Sequence, residues 1–158
     1  MRIKIKLCGG TVPSLNYQTD AGYDLFVPKD TYIEPRSVCF GRQVVPMGFC
    51  LELPLGYAAS IRPRSGYSSR GIEGMNGPVD RESQRHDADV LLGLCDSGYR
   101  GEYGVIIQNH EDNGFWIKKG TRIAQMVIEK VETGNEFIVV DELNDSDRMA
   151  NGYGSSNK

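Results

Sequence analysis

An arginine, a serine and a glycine follow a proline at Arg64, Ser65 and Gly66, and that order suits an anion. Pro63 restrains the entry to the turn. Arg64 offers a planar fork of donors, Ser65 a rotatable hydroxyl, and Gly66 a backbone N–H that a phosphate oxygen can approach closely. The same residues suit a helix start, with Ser65 as N-cap of a short turn running to Arg70. Both readings can hold, because a helix N-terminus is itself an anion site. Asp96 follows an apolar run and stands three positions before Tyr99. A carboxylate beside a phosphate can orient and deprotonate a water, and a ring can lie flat on a sugar. A hairpin tip, or a type I turn with Asp96 first and Gly98 in the bend, accounts for the same letters. Asp24, two positions after Gly22, is a hard oxygen donor able to reach a magnesium ion through water, or a turn carboxylate opening a strand. Arg122 and Gln125 lie where a basic, glycine-containing turn enters a strand; they are candidate polar contacts, with Arg122 suited to ion pairs.

Other residues with chemical potential carry less. Cys8, Cys39, Cys50 and Cys95 are scattered without CxxC spacing, which argues against a zinc site or disulfide framework and for free thiols in a reducing, cytosolic compartment. Cys95 has no histidine near it in sequence and reads as a small, half-buried filler. His86, beside Asp87 and Asp89 in a polar segment, reads as part of a solvated loop. A net charge of −3 argues against general affinity for nucleic acid or anionic membranes, so an anionic ligand must be held by a local cluster of donors.

The elements that must position these residues are strands. Period-two or apolar runs at residues 3–7, 37–43, 48–53, 57–61, 104–109, 123–131 and 137–140 are separated by Gly, Pro and Asn, the pattern of a mostly antiparallel sandwich or barrel. The alternating start, Met1 to Leu7, lacks the apolar run of a signal peptide, and the apolar stretch at 44–61 is broken by Pro46, Gly48, Pro54 and Gly56, so no membrane helix is expected. Helix-compatible composition is confined to 78–92, which suits an ordered loop equally well. A chain of 158 residues, 39% hydrophobic, is long enough for one domain with a proper core. A jelly-roll-like all-β domain is the fold expected.

Five islands, AGYDL (21–25), RPRSGYS (62–68), GLCDSGYRGE (93–102), GTRIAQ (120–125) and RMANGYGSS (148–156), occur in this order. Together they resemble the five motifs of the trimeric dUTPases, over nearly the whole chain. The resemblance implies a distorted jelly roll of the β-clip type, at residues 1–147, that forms a homotrimer with sites built from three chains. It implies a flexible C-terminal flap at 148–158. The implied reaction is hydrolysis of dUTP to dUMP and pyrophosphate with Mg2+, limiting uracil in DNA and supplying dUMP for dTMP synthesis. Asp96 would activate the water and touch the sugar, with Tyr99 packed on the deoxyribose so that a ribose hydroxyl clashes. Arg64, Ser65, Gly66 and Gln125 would meet the phosphates, and Asp24 the metal through water. Backbone near Val90, Gly93, Leu94 and Cys95 would read uracil, with Gly104 across the hairpin. Arg148, Ser155 and Ser156 would bind the terminal phosphate, while Tyr153 and Gly154 cover the base. The implied location is the cytoplasm, or the host cytoplasm for a viral protein.

The sequence also departs from the family pattern. Residues 73–88 form a longer connection than usual between the second and third motifs, suited to a lid, a partner-binding arm or an inert excursion. Gly98 stands where many members carry an acid, Leu91 and Leu92 where smaller residues are common, and Met149 where glycine is frequent. Two alternatives remain at this level. One is a dCTP deaminase-type enzyme of the same fold, which needs a catalytic glutamate on the hairpin. The other is a dUTP-responsive regulator acting through a protein partner at 73–88.

Overall fold

The computed structural model describes residues 1–146. Chain order within it is β1 (Lys4–Leu7), β2 (Tyr23–Phe26), β3 (Thr31–Ile33), β4 (Arg42–Pro46), β5 (Phe49–Glu52), β6 (Tyr57–Arg62), α1 (Ser65–Arg70), β7 (Ile72–Gly74), β8 (Gln84–His86), β9 (Ala88–Leu91), β10 (Gly93–Asp96), β11 (Gly104–Asn109), β12 (Phe115–Ile117) and β13 (Arg122–Lys130). Every strand pairing among the described residues is antiparallel. Two sheets dominate, in the orders β10-β6-β13-β2 and β4-β11-β9, with β1-β5, β12-β3 and β7-β8 as two-stranded additions. This is the all-β, jelly-roll type of architecture that the strand spacing predicts.

Alternation in sequence drives the layering. In β11, Val105, Ile107 and Asn109 face inward while Gly104, Ile106 and Gln108 are half-exposed, the period-two pattern of a strand with one buried face. Leu25, Ile33, Ile61, Ile123 and Phe115 belong to one core with Val105 and Ile107 of β11. The buried Asn109 amide is satisfied: its nitrogen donates to the carbonyls of Glu34 and Asn113, and its oxygen accepts from the Glu111 N–H. No helix among the described residues is long and apolar enough to cross a membrane.

Four sequence expectations are corrected. The 37–43 run is not a strand throughout. A 3-10 turn occupies Cys39–Gly41, with φ of 47°, 58° and 72° at its three residues, and the strand begins only at Arg42. Gly41 sits so close to the Asn109 carbonyl that a Cβ would lie 2.0 Å from it, so the chain must bend there. Residues 78–92 contain no helix; Ala88 and Val90 alternate with exposed neighbours and form β9 against β11. Residues 137–140 form no strand, because no edge among the described residues pairs with their backbone; Phe137, Ile138 and Val139 stand exposed. His86 is buried rather than solvated, at 3% exposure. Its ring lies parallel to Phe115 with centroids 4.1 Å apart, and Nδ1 is 2.9 Å from a Glu111 carboxylate oxygen. His86 ends β8 and is separated by the bend at Asp87 from β9, so its burial follows from packing on Phe115 rather than from a continuous strand pattern.

The 73–88 segment is a hairpin rather than a loose excursion. β7 and β8 pair Ile72 with His86 and Glu73 with Arg85. Met75 bridges to Trp116 through backbone bonds in both directions, and Lys118 Nζ donates to the Pro78 carbonyl. Burial pushes the Glu111 carboxyl up, but the hydrogen bond with His86 and the one from the Asp87 N–H outweigh it and hold the group below its ordinary range.

Candidate active site

The register of the four-stranded sheet places the phosphate-type residues in one row. Gln125 of β13 stands opposite Asp24 of β2 on one side and Arg62 of β6 on the other. The chain leaves β6 at Arg62, turns through Pro63 and enters α1, so Arg64, Ser65 and Gly66 hang over the end of this row. The Gln125 amide nitrogen donates to the Pro63 carbonyl at 2.9 Å and anchors the turn. Gly22 makes room for that side chain: a Cβ there would come within 2.5 Å of Gln125 Oε1.

Asp24 organises the arginines. Its Oδ1 accepts from Arg64 Nε and its Oδ2 from Arg122 Nη1, both at 3.1 Å, and its side chain is 13% exposed. Capping is not the use of Ser65. The N-cap is Arg64, with an extended backbone and no side-chain cap, and the Ser65 hydroxyl has no hydrogen-bond partner among the described residues. The opening N–H groups of a helix have no acceptor within it, so Ser65 and Gly66 present free donors as well. A cleft of about 670 Å3 contains these residues, and its walls carry Arg62, Arg64, Arg70, Arg85 and Arg122 against Asp20, Asp24 and Glu73. An acidic chain thereby concentrates cationic donors in one concavity, the electrostatics of an anion site.

A second cleft, of about 300 Å3, is lined by Gly93, Leu94, Cys95, Asp96, Tyr99 and Gly104, together with Val44, Ile61, Glu102 and Ile106. Asp96 ends β10 and opens a turn closed by the Tyr99 N–H on its carbonyl at 3.1 Å. Both functions of Asp96 are thus compatible, because the turn uses its backbone. Its carboxylate is exposed and has no hydrogen-bond partner among the described residues. The Tyr99 hydroxyl donates to the Glu102 carbonyl at 3.0 Å and its ring tilts against buried Tyr103, which fixes its plane. Burial pushes the Cys95 thiol up, and nearby Asp96 adds to the shift, leaving an inert filler. Val90 lies outside this cleft, packed in the core opposite Ile107.

One chain does not bring the two clefts together. Asp96 pairs with Ala58 of β6, four residues from Arg62, and β10 lies three strands from β2. Four residues advance about 13 Å and three strand spacings cover about 14 Å, so Asp24 and Asp96 of one chain are separated by roughly 20 Å. Arg148, Tyr153, Gly154, Ser155 and Ser156 lie outside the described residues. Tyr67, Glu73 and Arg85, which carry no distinguishing signal of their own in the sequence, also line the larger cleft. Arg85 and Glu73 are placed there by the β7–β8 hairpin, for which the sequence offers only short polar runs.

The residues of this cleft fit a magnesium ion held at a distance from Asp24. Both oxygens of Asp24 are engaged by arginine, and no group of three or more His, Cys, Asp or Glu side chains among the described residues could hold a metal. The residues therefore suit outer-shell contact through water, with ligand phosphates as the direct donors.

Comparisons with known proteins identify the family of the chain. The dUTPase family profile matches residues 9–157. The deoxyuridine 5'-triphosphate nucleotidohydrolase of Nautilia profundicola is 37% identical over 161 residues, covering all of both chains. That of Saccharomyces cerevisiae is 33% identical, over 99% of this chain and 93% of the yeast protein. Among solved structures, the Staphylococcus bacteriophage 80alpha dUTPase with dUPNHPP superposes with a TM-score of 0.79 at 27% identity, covering 99% of each chain.

Proposed function

The chain belongs to the dUTPase family, and on that premise we propose that it hydrolyses dUTP to dUMP and pyrophosphate at sites shared between subunits. The observation that carries this reading is the division of the candidate residues into two clefts. One is cationic and suited to phosphates; the other is formed by Asp96, Tyr99 and the β10 backbone and suited to a deoxynucleoside. The roughly 20 Å between them in one chain is removed if the phosphate cleft of one protomer meets the nucleoside cleft of another.

Surfaces for such an assembly are present. Leu92, Leu94 and Val44 are exposed at or beside the smaller cleft, and Phe137, Ile138, Val139 and Leu143 form an apolar run that is exposed among the described residues. Apolar groups left open in this number favour association. A homotrimer supplies three equivalent sites, each with a third chain available to contribute Arg148, Tyr153, Gly154, Ser155 and Ser156. The corresponding division is a β domain at residues 1–147 and a site-covering tail at 148–158.

In the reaction, Asp96 takes a proton from water as the water oxygen bonds to the α-phosphorus. The bond from that phosphorus to the bridging oxygen breaks, and pyrophosphate leaves with the electron pair. Arg64, the Ser65 hydroxyl and the Gly66 N–H hold phosphate oxygens where charge develops. Gln125 positions the turn through Pro63, and Asp24 keeps Arg64 and Arg122 aimed inward. Magnesium, when bound, neutralises phosphate charge and orients the chain of phosphates. Tyr99 excludes a ribose hydroxyl by contact, and the backbone from Gly93 to Cys95 is available to match the uracil edge, with Gly104 across from it.

A panel of dUTP, dCTP, dTTP and UTP, assayed for pyrophosphate release with and without magnesium, tests this reading. Preferential, magnesium-dependent turnover of dUTP is expected. Deamination of dCTP, or binding of dUTP without turnover, would replace it with another activity of the fold.

A further inference from the structure

We propose that Arg85, delivered by the β7–β8 hairpin, is a further polyphosphate-binding residue of this site; the inference rests on the dUTP-hydrolysis reading above. Arg85 lines the cationic cleft with Arg64, Ser65 and Gly66. Its guanidinium lies 5.6 Å from the centre of the Tyr67 ring, and that of Arg64 lies 5.8 Å from the same centre. The two guanidinium carbons are therefore no more than about 11 Å apart, with the aromatic ring as their common support. One extended polyphosphate can touch both.

The hydrogen bonds of Arg85 are incompletely used. Nη1 donates to the Gly71 carbonyl at 3.1 Å, and Nη2 stands 3.6 Å from Glu73 Oε2, beyond a good hydrogen bond. A guanidinium has five N–H donors, so most of the fork is available. Glu73 is held from its other oxygen by the Ser83 hydroxyl at 2.7 Å, which fixes the carboxylate across the strand pair from Arg85. The side chains of Arg85 and Glu73 are 39% and 48% exposed, the setting in which an ion pair contributes little. A solvated surface pair is the competing reading. Against it stand the location inside the cleft and the surplus of arginine over carboxylate there. Glu73 thus holds Arg85 at the cleft wall, and a phosphate group with two or more charges outcompetes it. Because Arg64 and Ser65 hold the phosphate at the bond that breaks, Arg85 serves the pyrophosphate portion.

The experiment measures KM and kcat for dUTP, inhibition by dUMP, and their salt dependence in wild type, Arg85→Gln, Arg85→Lys and Arg81→Gln. Arg81 is on the same hairpin but outside the cleft, so Arg81→Gln controls for loss of charge. Arg85→Gln is expected to raise KM for dUTP on the order of tenfold, flatten its salt dependence and leave the dUMP inhibition constant in place. Arg85→Lys, which keeps the charge without the fork and also serves if the glutamine variant folds poorly, should fall between. Kinetics of Arg85→Gln matching wild type or Arg81→Gln would overturn the assignment. So would equal weakening of dUTP and dUMP, which marks a shape effect on the cleft. Absence of dUTP turnover in wild type would instead remove the parent reading, and is tested first.

Discussion

Two inactive variants should restore each other when mixed, if the site is shared as the sheet register implies. Arg64→Gln removes the phosphate fork while Arg122 continues to hold Asp24 at 3.1 Å, so the fold is retained. Asp96→Asn removes the proton acceptor from an exposed carboxylate with no hydrogen-bond partner among the described residues, again without disturbing the core. Loss of a positioned general base costs on the order of 10²–10⁴-fold, and loss of a transition-state donor to phosphate about 10²-fold or more. Each variant alone is therefore nearly silent. Mixed in equal amounts while unfolded and then refolded, the chains assort at random into trimers. A site that takes Arg64 from one chain and Asp96 from another is intact only when the first is an Asp96→Asn chain and the second an Arg64→Gln chain. That holds for about one site in four by symmetry. Pyrophosphate release at saturating dUTP should thus recover to about a quarter of refolded wild type. If both residues came from the same chain, no mixed trimer would contain an intact site. A refolded mixture that shows exchange by mass spectrometry but stays at the level of its parents would refute the shared-site argument. The roughly 20 Å separation would then have to be closed within one chain.

Other outcomes follow from individual contacts. Asp96→Asn alone should lose dUTP turnover by the factor above while its thermal midpoint stays within a few degrees of wild type, measured by circular dichroism. Tyr99→Ala should narrow the preference for dUTP over UTP by roughly tenfold in kcat/KM, if its ring excludes a ribose hydroxyl as proposed. His86→Ala, which empties the stack on Phe115 and removes the partner of one Glu111 carboxylate oxygen, should destabilise by on the order of 2–4 kcal/mol in urea unfolding. The Glu111 carboxyl is held below its ordinary range in the folded protein. Its contribution is therefore present above its unfolded pKa, about 4.3, and is lost as pH falls through the lower folded value. Glu111→Gln should lessen the fall in stability below about pH 4; an unchanged acid limb in pH-dependent unfolding would argue against that linkage.

The sequence by itself determined the strand content, the segregation of apolar faces and the identity of the chemical groups. Period-two patterning is local, so β11 and most of β13 are legible from their own letters, as is a site rich in Arg, Asp and Gly. The order of five islands also carried the family. What only tertiary structure decided is which groups meet. Asp24 and Gln125 are about a hundred residues apart in the chain yet stand opposite one another because β2 and β13 pair. Asp96 and Tyr99 look like neighbours of the phosphate ligands in the order of motifs, but sheet register separates them from Asp24 within one protomer. The polar stretch at 73–88 concealed His86 as a core residue and Arg85 as part of the cleft wall. Both errors have one cause: a short strand reveals its face only through its partners, and for β7 and β8 those partners are each other, Phe115 and Trp116. Residues 137–140 show the converse, a strand pattern with no pairing edge among the described residues. Hydrophobic periodicity specifies local conformation, whereas the long-range pairing that sets register and builds a site depends on surfaces distant in sequence.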